Sequence, residues 1–226
     1  HVTKCLLLGV VLLITANAKA SELEHKLQQL AASHHGSVAL FAKNLTTGET
    51  VSLDANRPVQ TASVIKLPLM LQVFEQVKLG KLKLSTSLKL TKENQVPGSG
   101  ILNLMNPGLT LTLKDTVTLM IVLSDNTATN MIIDAAGLDS TNKMLARMRL
   151  ESTHLYKKVY KESEGPVPPD QKQFGLGKTT AEEMAQVMES IYRCEINALD
   201  LCREMITIMR NQQYRDMLPR YLEAND

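Results

Sequence analysis

Hydrophobic positions along the chain recur at two periods, and the switches between them mark its elements. Leu23, Leu27 and Leu30 follow one another at spacings of four and three, which predicts a helix over residues 21–32 with Ser21 as its cap. Val38, Leu40 and Ala42 then alternate with other residues. Asn44 to Gly48 supplies a turn and Thr50 to Leu53 a return, so Ser37 to Leu53 is expected to be a hairpin. Ser63 to Leu79 is strongly apolar at helical spacing and ends at Gly80. Pro68 in the second turn of that helix is expected to leave the Val64 carbonyl without its usual partner. Lys81 to Leu90 is a linker followed by an extended segment, and Pro97-Gly98-Ser99-Gly100 and Asn106-Pro107-Gly108 are turns.

Beyond Thr112 the period is helical again. Leu113, Val117, Met120 and Ile121 share one face, Ser124-Asp125-Asn126 interrupts, and Thr127 opens a helix closed by Gly137. Ser140 to Met148 forms a further short helix. Tyr156 to Gly177 is a long polar loop containing Pro166, Pro168 and Pro169, a length that ordered loops reach mainly at functional sites. Its end, Gly175-Leu176-Gly177-Lys178-Thr179, is not a phosphate loop: the first glycine would fall at Lys172, and the segment is read as following a loop, with no strand before it. Thr180 to Arg193 is the clearest helix, capped by Thr179 or Thr180, with Met184, Val187, Met188 and Ile191 as its stripe. Leu201, Met205, Ile208 and Met209 mark another. A helix and a hairpin thus precede a block of helices. Two strands alone make a marginal sheet, so further strands are needed that the pattern does not show.

Composition narrows the class of protein. Of 226 residues 44% are hydrophobic and 21% charged, which excludes a disordered or fibrous chain. The first residues read as an export leader: Lys4, an apolar run from Cys5 to Ile14, and Ala18-Lys19-Ala20 as the cleavage site. That run is too short to span a membrane, which takes about 20 apolar residues. Loss of Lys4 and Lys19 takes the 25 basic residues to 23 against 23 acidic ones, so the net charge of +2 falls to zero. No basic cluster fit to neutralise a run of phosphates remains, and Trp is absent, which argues against nucleic acid. Export puts Cys194 and Cys202 in an oxidising compartment, where a disulfide and a pair of buried thiols are both open readings. His34 and His35 have no further ligand at metal spacing and are read as solvated residues at a helix end.

The chemistry lies in two short motifs. Ser63 and Lys66 stand three apart, so on a helix the amine can reach the hydroxyl and serve as the base a serine nucleophile needs. Alone, such a pair arises by chance about once in a few hundred residues. About sixty residues on, Ser124-Asp125-Asn126 changes its weight. Ser124 can relay a proton to a leaving nitrogen, Asn126 can offer its amide to a substrate carbonyl and to Lys66, and Asp125 is suited to fixing the local turn.

With these motifs the chain resembles the class A serine β-lactamases, within the penicillin-recognising serine hydrolases. The resemblance implies an α+β fold, an α/β sandwich plus an all-α subdomain. Residues 1–20 would be the leader, 21–60 the start of the α/β subdomain and 61–212 the all-α subdomain. An omega-like loop would span about 156–178, and 213–226 would begin the return to the sheet. It further implies that Ser63 is acylated by the lactam carbonyl, with Lys66 and Ser124 moving protons and Asn126 binding substrate. No cofactor and no metal are implied, and the protein is expected to be a periplasmic or secreted monomer.

Two departures from the family pattern stand out. Its loop carries Glu-Pro-Glu-Leu-Asn, whereas here Glu162-Ser163-Glu164 is followed by Pro166 and Pro168, neither of which can hold a water with an amide. Glu162 is taken as the deacylating base, with Glu164 as the alternative and neither as a third outcome. The family's Lys-Thr-Gly strand is also absent, and the gene is expected to continue through it beyond Asp226. A D-alanyl-D-alanine peptidase acting on peptidoglycan stems, and a sensor that acylates without turnover, remain alternatives.

Overall fold

A computed structural model of the protein describes residues 22–163, 165–166, 168–217 and 220. The expected leader therefore lies outside the described residues, as does Glu164. The chain divides into two compact units, one of residues up to 58 with 180–186, the other of 59–179 with the chain from 187 on.

The first unit opens with helix α1 (residues 22–33). Strands β1 (Leu40–Lys43) and β2 (Thr50–Leu53) follow as an antiparallel hairpin in which Leu40 faces Leu53 and Lys43 faces Thr50. Asn44 makes the turn: its Oδ1 accepts the Thr46 and Thr47 N–H groups at 2.9 and 3.1 Å, the local side-chain bonding that favours Asn in turns. Leu23 and Leu30, two of the three residues of the expected apolar stripe, are exposed.

The second unit is built around α2 (Lys66–Lys78), which packs against α3 (Leu113–Val122), α4 (Asn126–Ala136), α5 (Leu138–Arg147) and α8 (Leu199–Arg210). Leu69, Met70, Val73 and Phe74 of α2, Val117 and Met120 of α3, and Ile132 of α4 are wholly buried. Each contributes about 1.5–3 kcal/mol of transfer free energy, so the core on α2 is what holds the site rigid. Thr112 and Asp115 form a reciprocal capping box at the start of α3.

The expected apolar helix from Ser63 begins differently. Ala62 to Ile65 is a 3-10 turn, and the α-helix starts only at Lys66, whose N–H is donated to the Ser63 and Val64 carbonyls. Pro68 is thus the third residue of α2, a first-turn position whose N–H has no intrahelical acceptor anyway, and the expected cost is not incurred.

Strands that the periodicity did not show complete two small sheets. Strand β4 (Ser87–Lys89) pairs with β5 (Thr110–Thr112), and β3 (Val59–Gln60), β7 (Gly177–Thr179) and β6 (His154–Leu155) form one antiparallel sheet in the order β3-β7-β6. The reading of Gly175 to Thr179 as the end of a loop is therefore corrected. Gly177 to Thr179 is a strand because two distant segments pair with it, and α7 (Ala181–Tyr192) follows with Thr180 Oγ1 accepting the Glu183 N–H. The long loop also contains one helical turn, α6 (Gln171–Phe174). Its two ends meet where the Tyr156 N–H is donated to the Leu176 carbonyl at 2.9 Å.

Candidate active site

The sheet delivers the nucleophile. Strand β3 leads through Thr61, whose N–H bonds the Gly177 carbonyl at 2.9 Å, into the 3-10 turn bearing Ser63. In a 3-10 turn residues three apart eclipse, which stacks Lys66 over Ser63. Lys66 Nζ lies 3.2 Å from Ser63 Oγ, 2.9 Å from Ser124 Oγ, 2.7 Å from the Ser124 carbonyl and 3.0 Å from Asn126 Oδ1. Ser124 Oγ donates to Ser63 Oγ at 3.0 Å, closing a ring of two hydroxyls and an amine. Lys66 is almost wholly buried. That desolvation brings its pKa down from 10.5 to about 8, against the opposing charge of Asp125. An amine so tuned is available as a neutral base in the mildly alkaline range.

Asp125 does not touch Ser63 or Lys66 through its carboxylate. It caps α4 by accepting the Ala128 N–H at 2.8 Å and holds the 97–102 turn by accepting the Ile101 and Leu102 N–H groups at 2.7 and 2.9 Å. Gly100 is required for this grip: its φ is +103°, and a Cβ there would lie 2.2 Å from the Asp125 carboxyl. Asn126, the first residue of α4, is fixed at both ends of its amide. Oδ1 accepts from Lys66, and Nδ2 donates to the Pro97 carbonyl at 3.1 Å.

Asn130 was missed in the sequence. It is wholly buried one turn after Asn126, accepts the Val159 N–H at 2.8 Å and donates to the Val159 carbonyl at 3.1 Å, so α4 grips the long loop. Its i, i+4 spacing from Asn126 was the available signal. Farther along, Asp170 pairs with Lys178 Nζ at 2.8 Å and accepts from Tyr156; those two partners, Lys178 first, hold its carboxyl below the usual range. Glu162 is exposed and lines a hollow of about 360 Å³ with Asp134, Gly137, Asp139 and Lys157. Cys194 and Cys202 are joined as a disulfide.

A mixed helix-and-sheet fold with a buried lysine between two serines defines a chain of the serine β-lactamase and penicillin-binding type. Comparison with known proteins bears on this directly. The model of the beta-lactamase enzyme family matches residues 22–225, and the chain belongs to that family. Among solved structures it is similar to a β-lactamase from Sphaerobacter thermophilus at 30% identity and a TM-score of 0.75, covering 85% of this chain and 70% of that one. It is similar, at 27% identity and a TM-score of 0.76, to a mutant of PBP-A solved as an acyl-enzyme complex with penicillin G, covering 88% and 72%. An ancestral class A β-lactamase of Gram-negative bacteria matches at 21% identity and a TM-score of 0.74, over 86% and 73%, a likeness of fold. No protein in a search of the curated proteins matches. Family membership makes the chain a hydrolase of the class A type. No helix among the described residues is long and apolar enough to cross a membrane.

Proposed function

We propose that the protein hydrolyses β-lactams after export, through an acyl-enzyme on Ser63. The observation that carries this is the contact of the buried Lys66 amine with Ser63, Ser124 and Asn126 at 2.7 to 3.2 Å. In its neutral form Lys66 takes the Ser63 proton, directly or through Ser124, as Ser63 Oγ bonds to the lactam carbonyl carbon. The Ser63 N–H, at the start of the helical run, is one donor to the oxyanion. The C–N bond then breaks and the proton passes through Ser124 to the departing nitrogen. Water hydrolyses the resulting ester, releasing a carboxylate and restoring the Ser63 hydroxyl.

The two half-reactions are unequally equipped. Acylation has its base and relay in contact with the nucleophile, whereas Glu162, the candidate for activating the water, lines a hollow that includes none of Ser63, Lys66, Ser124 or Asn126. Glu164, the other candidate, lies outside the described residues, and a penicillin-binding protein that acylates with little turnover is the second reading. Rapid mixing with excess nitrocefin separates the two. Hydrolysis gives one equivalent at mixing followed by steady turnover, and the second reading gives the burst alone. Ser63→Ala removes both phases; lactam opening that survived it would overturn the assignment of the nucleophile.

A further inference from the structure

We propose that Tyr160 is the aromatic wall on which the acyl side chain of a β-lactam packs, and so sets which lactams Ser63 accepts. The inference rests on the Ser63 reading above. Asn126 has two amide protons; one is given to the Pro97 carbonyl, which leaves the other for a substrate carbonyl. Gly98 lies beside this amide with φ +94°. A Cβ there would stand 2.6 Å from Asn126 Nδ2 and 3.4 and 3.5 Å from Cε2 and the hydroxyl of Tyr160. The 97–100 turn thus presents no side chain next to Asn126, and the Tyr160 ring, from a different loop, occupies the adjoining space.

Nothing in folding alone asks for this arrangement. Tyr160 is 66% exposed, so its ring is not retained for burial, yet its backbone has φ +54°, a left-handed conformation that costs a bulky residue free energy. Among the described residues, Ala62 (φ +41°), the residue before the nucleophile, and Ser124 (φ +52°) share this conformation, as do Asp54, Arg149, Cys194 and Asn197 outside the site. Strain of this kind is kept where the surrounding structure over-determines it, commonly at functional sites. Here the constraint is Asn130, whose two bonds to Val159 fix the backbone immediately before Tyr160 to α4, the helix that begins at Asn126. The amide donor on α4 and the loop that carries the aromatic ring are therefore tied to the same helix. An amide N–H that can donate to a carbonyl, beside a pre-set aromatic face, suits an acylamino group that ends in an aryl ring, since ring-on-ring contact adds affinity at little entropic cost.

The test compares benzylpenicillin, which carries an aryl acyl group, with 6-aminopenicillanic acid, which carries none. Acylation of Ser63 is followed by mass spectrometry in the protein and in Tyr160→Ala and Tyr160→Phe. Tyr160→Ala is expected to slow acylation by benzylpenicillin about tenfold through weaker binding, with the limiting rate unchanged. It should leave 6-aminopenicillanic acid within about twofold, and Tyr160→Phe should restore the difference. Equal losses with both compounds, or none with either, would overturn the role of Tyr160 and leave Ser63 as nucleophile. An unaltered protein that neither forms an adduct with nor opens either lactam would remove the Ser63 reading and this inference with it.

Discussion

At the scale of single residues, the site turns on how a lysine is held. Lys66 is encircled by acceptors and nearly excluded from water, and burial outweighs the favourable charge of Asp125. Two consequences follow from its lowered pKa. The fraction of neutral amine rises with pH, so the rate of acylation is expected to climb about tenfold per pH unit below about 8 and to level above it, as read by burst rates across a pH series. Stability moves in the same direction for a different reason. Because the folded pKa lies below the unfolded value of 10.5, the unfolded chain binds more protons between about 8 and 10.5, and folding gains free energy from this group as pH rises through that window. Replacing Lys66 with Met should abolish the pH dependence of acylation along with most of its rate.

At the scale of elements, α4 does most of the positioning. Its cap is Asp125, its first residue is Asn126, and Asn130 one turn on holds Val159. Replacing Asn130 with Ala leaves the N–H and carbonyl of the mostly buried Val159 without those partners. It is expected to cost about 2–4 kcal/mol, measured as a lowered midpoint in urea. The same variant should speed proteolytic cleavage within 156–176, whose ends stay tied by β6 and β7. A variant as stable and as protease-resistant as the parent would show that the loop is held elsewhere, for instance by the Asp170–Lys178 pair.

At the scale of the whole molecule, the helical unit has a covalent clip. The disulfide between Cys194 and Cys202, eight residues apart, joins the segment after α7 to α8, whose Met205 and Ile208 are buried. Closing so short a loop restricts the unfolded chain and is worth about 2.5 kcal/mol on the chain-entropy account. Reduction, or the pair Cys194→Ser and Cys202→Ala, is expected to lower the thermal midpoint by several degrees while the lactam burst at 25 °C persists. Loss of the burst together with an unchanged midpoint would contradict this.

The sequence by itself determined the local features of this protein. The Ser63–Lys66 spacing, the Ser124-Asp125-Asn126 break, the hairpin turn at Asn44, the stripe of α3 and, but for the exposed Met188, that of α7 are readable, because each depends on residues within a few positions of one another. The motifs also carried the resemblance that the family match now supports. Only the tertiary structure decided what depends on distant partners. Gly177 to Thr179 has no strand signal of its own and becomes one through β3 and β6. Asn130 shares a helix face with Asn126 by its spacing, but its partner Val159 is supplied only by the fold. Glu162 lines a hollow whose other walls come from α4, α5 and the loop itself, a grouping that its place in the sequence does not show. Spacing brings Lys66 to Ser63, but the burial that tunes it comes from elements the chain folds around it, and no local pattern of residues encodes that.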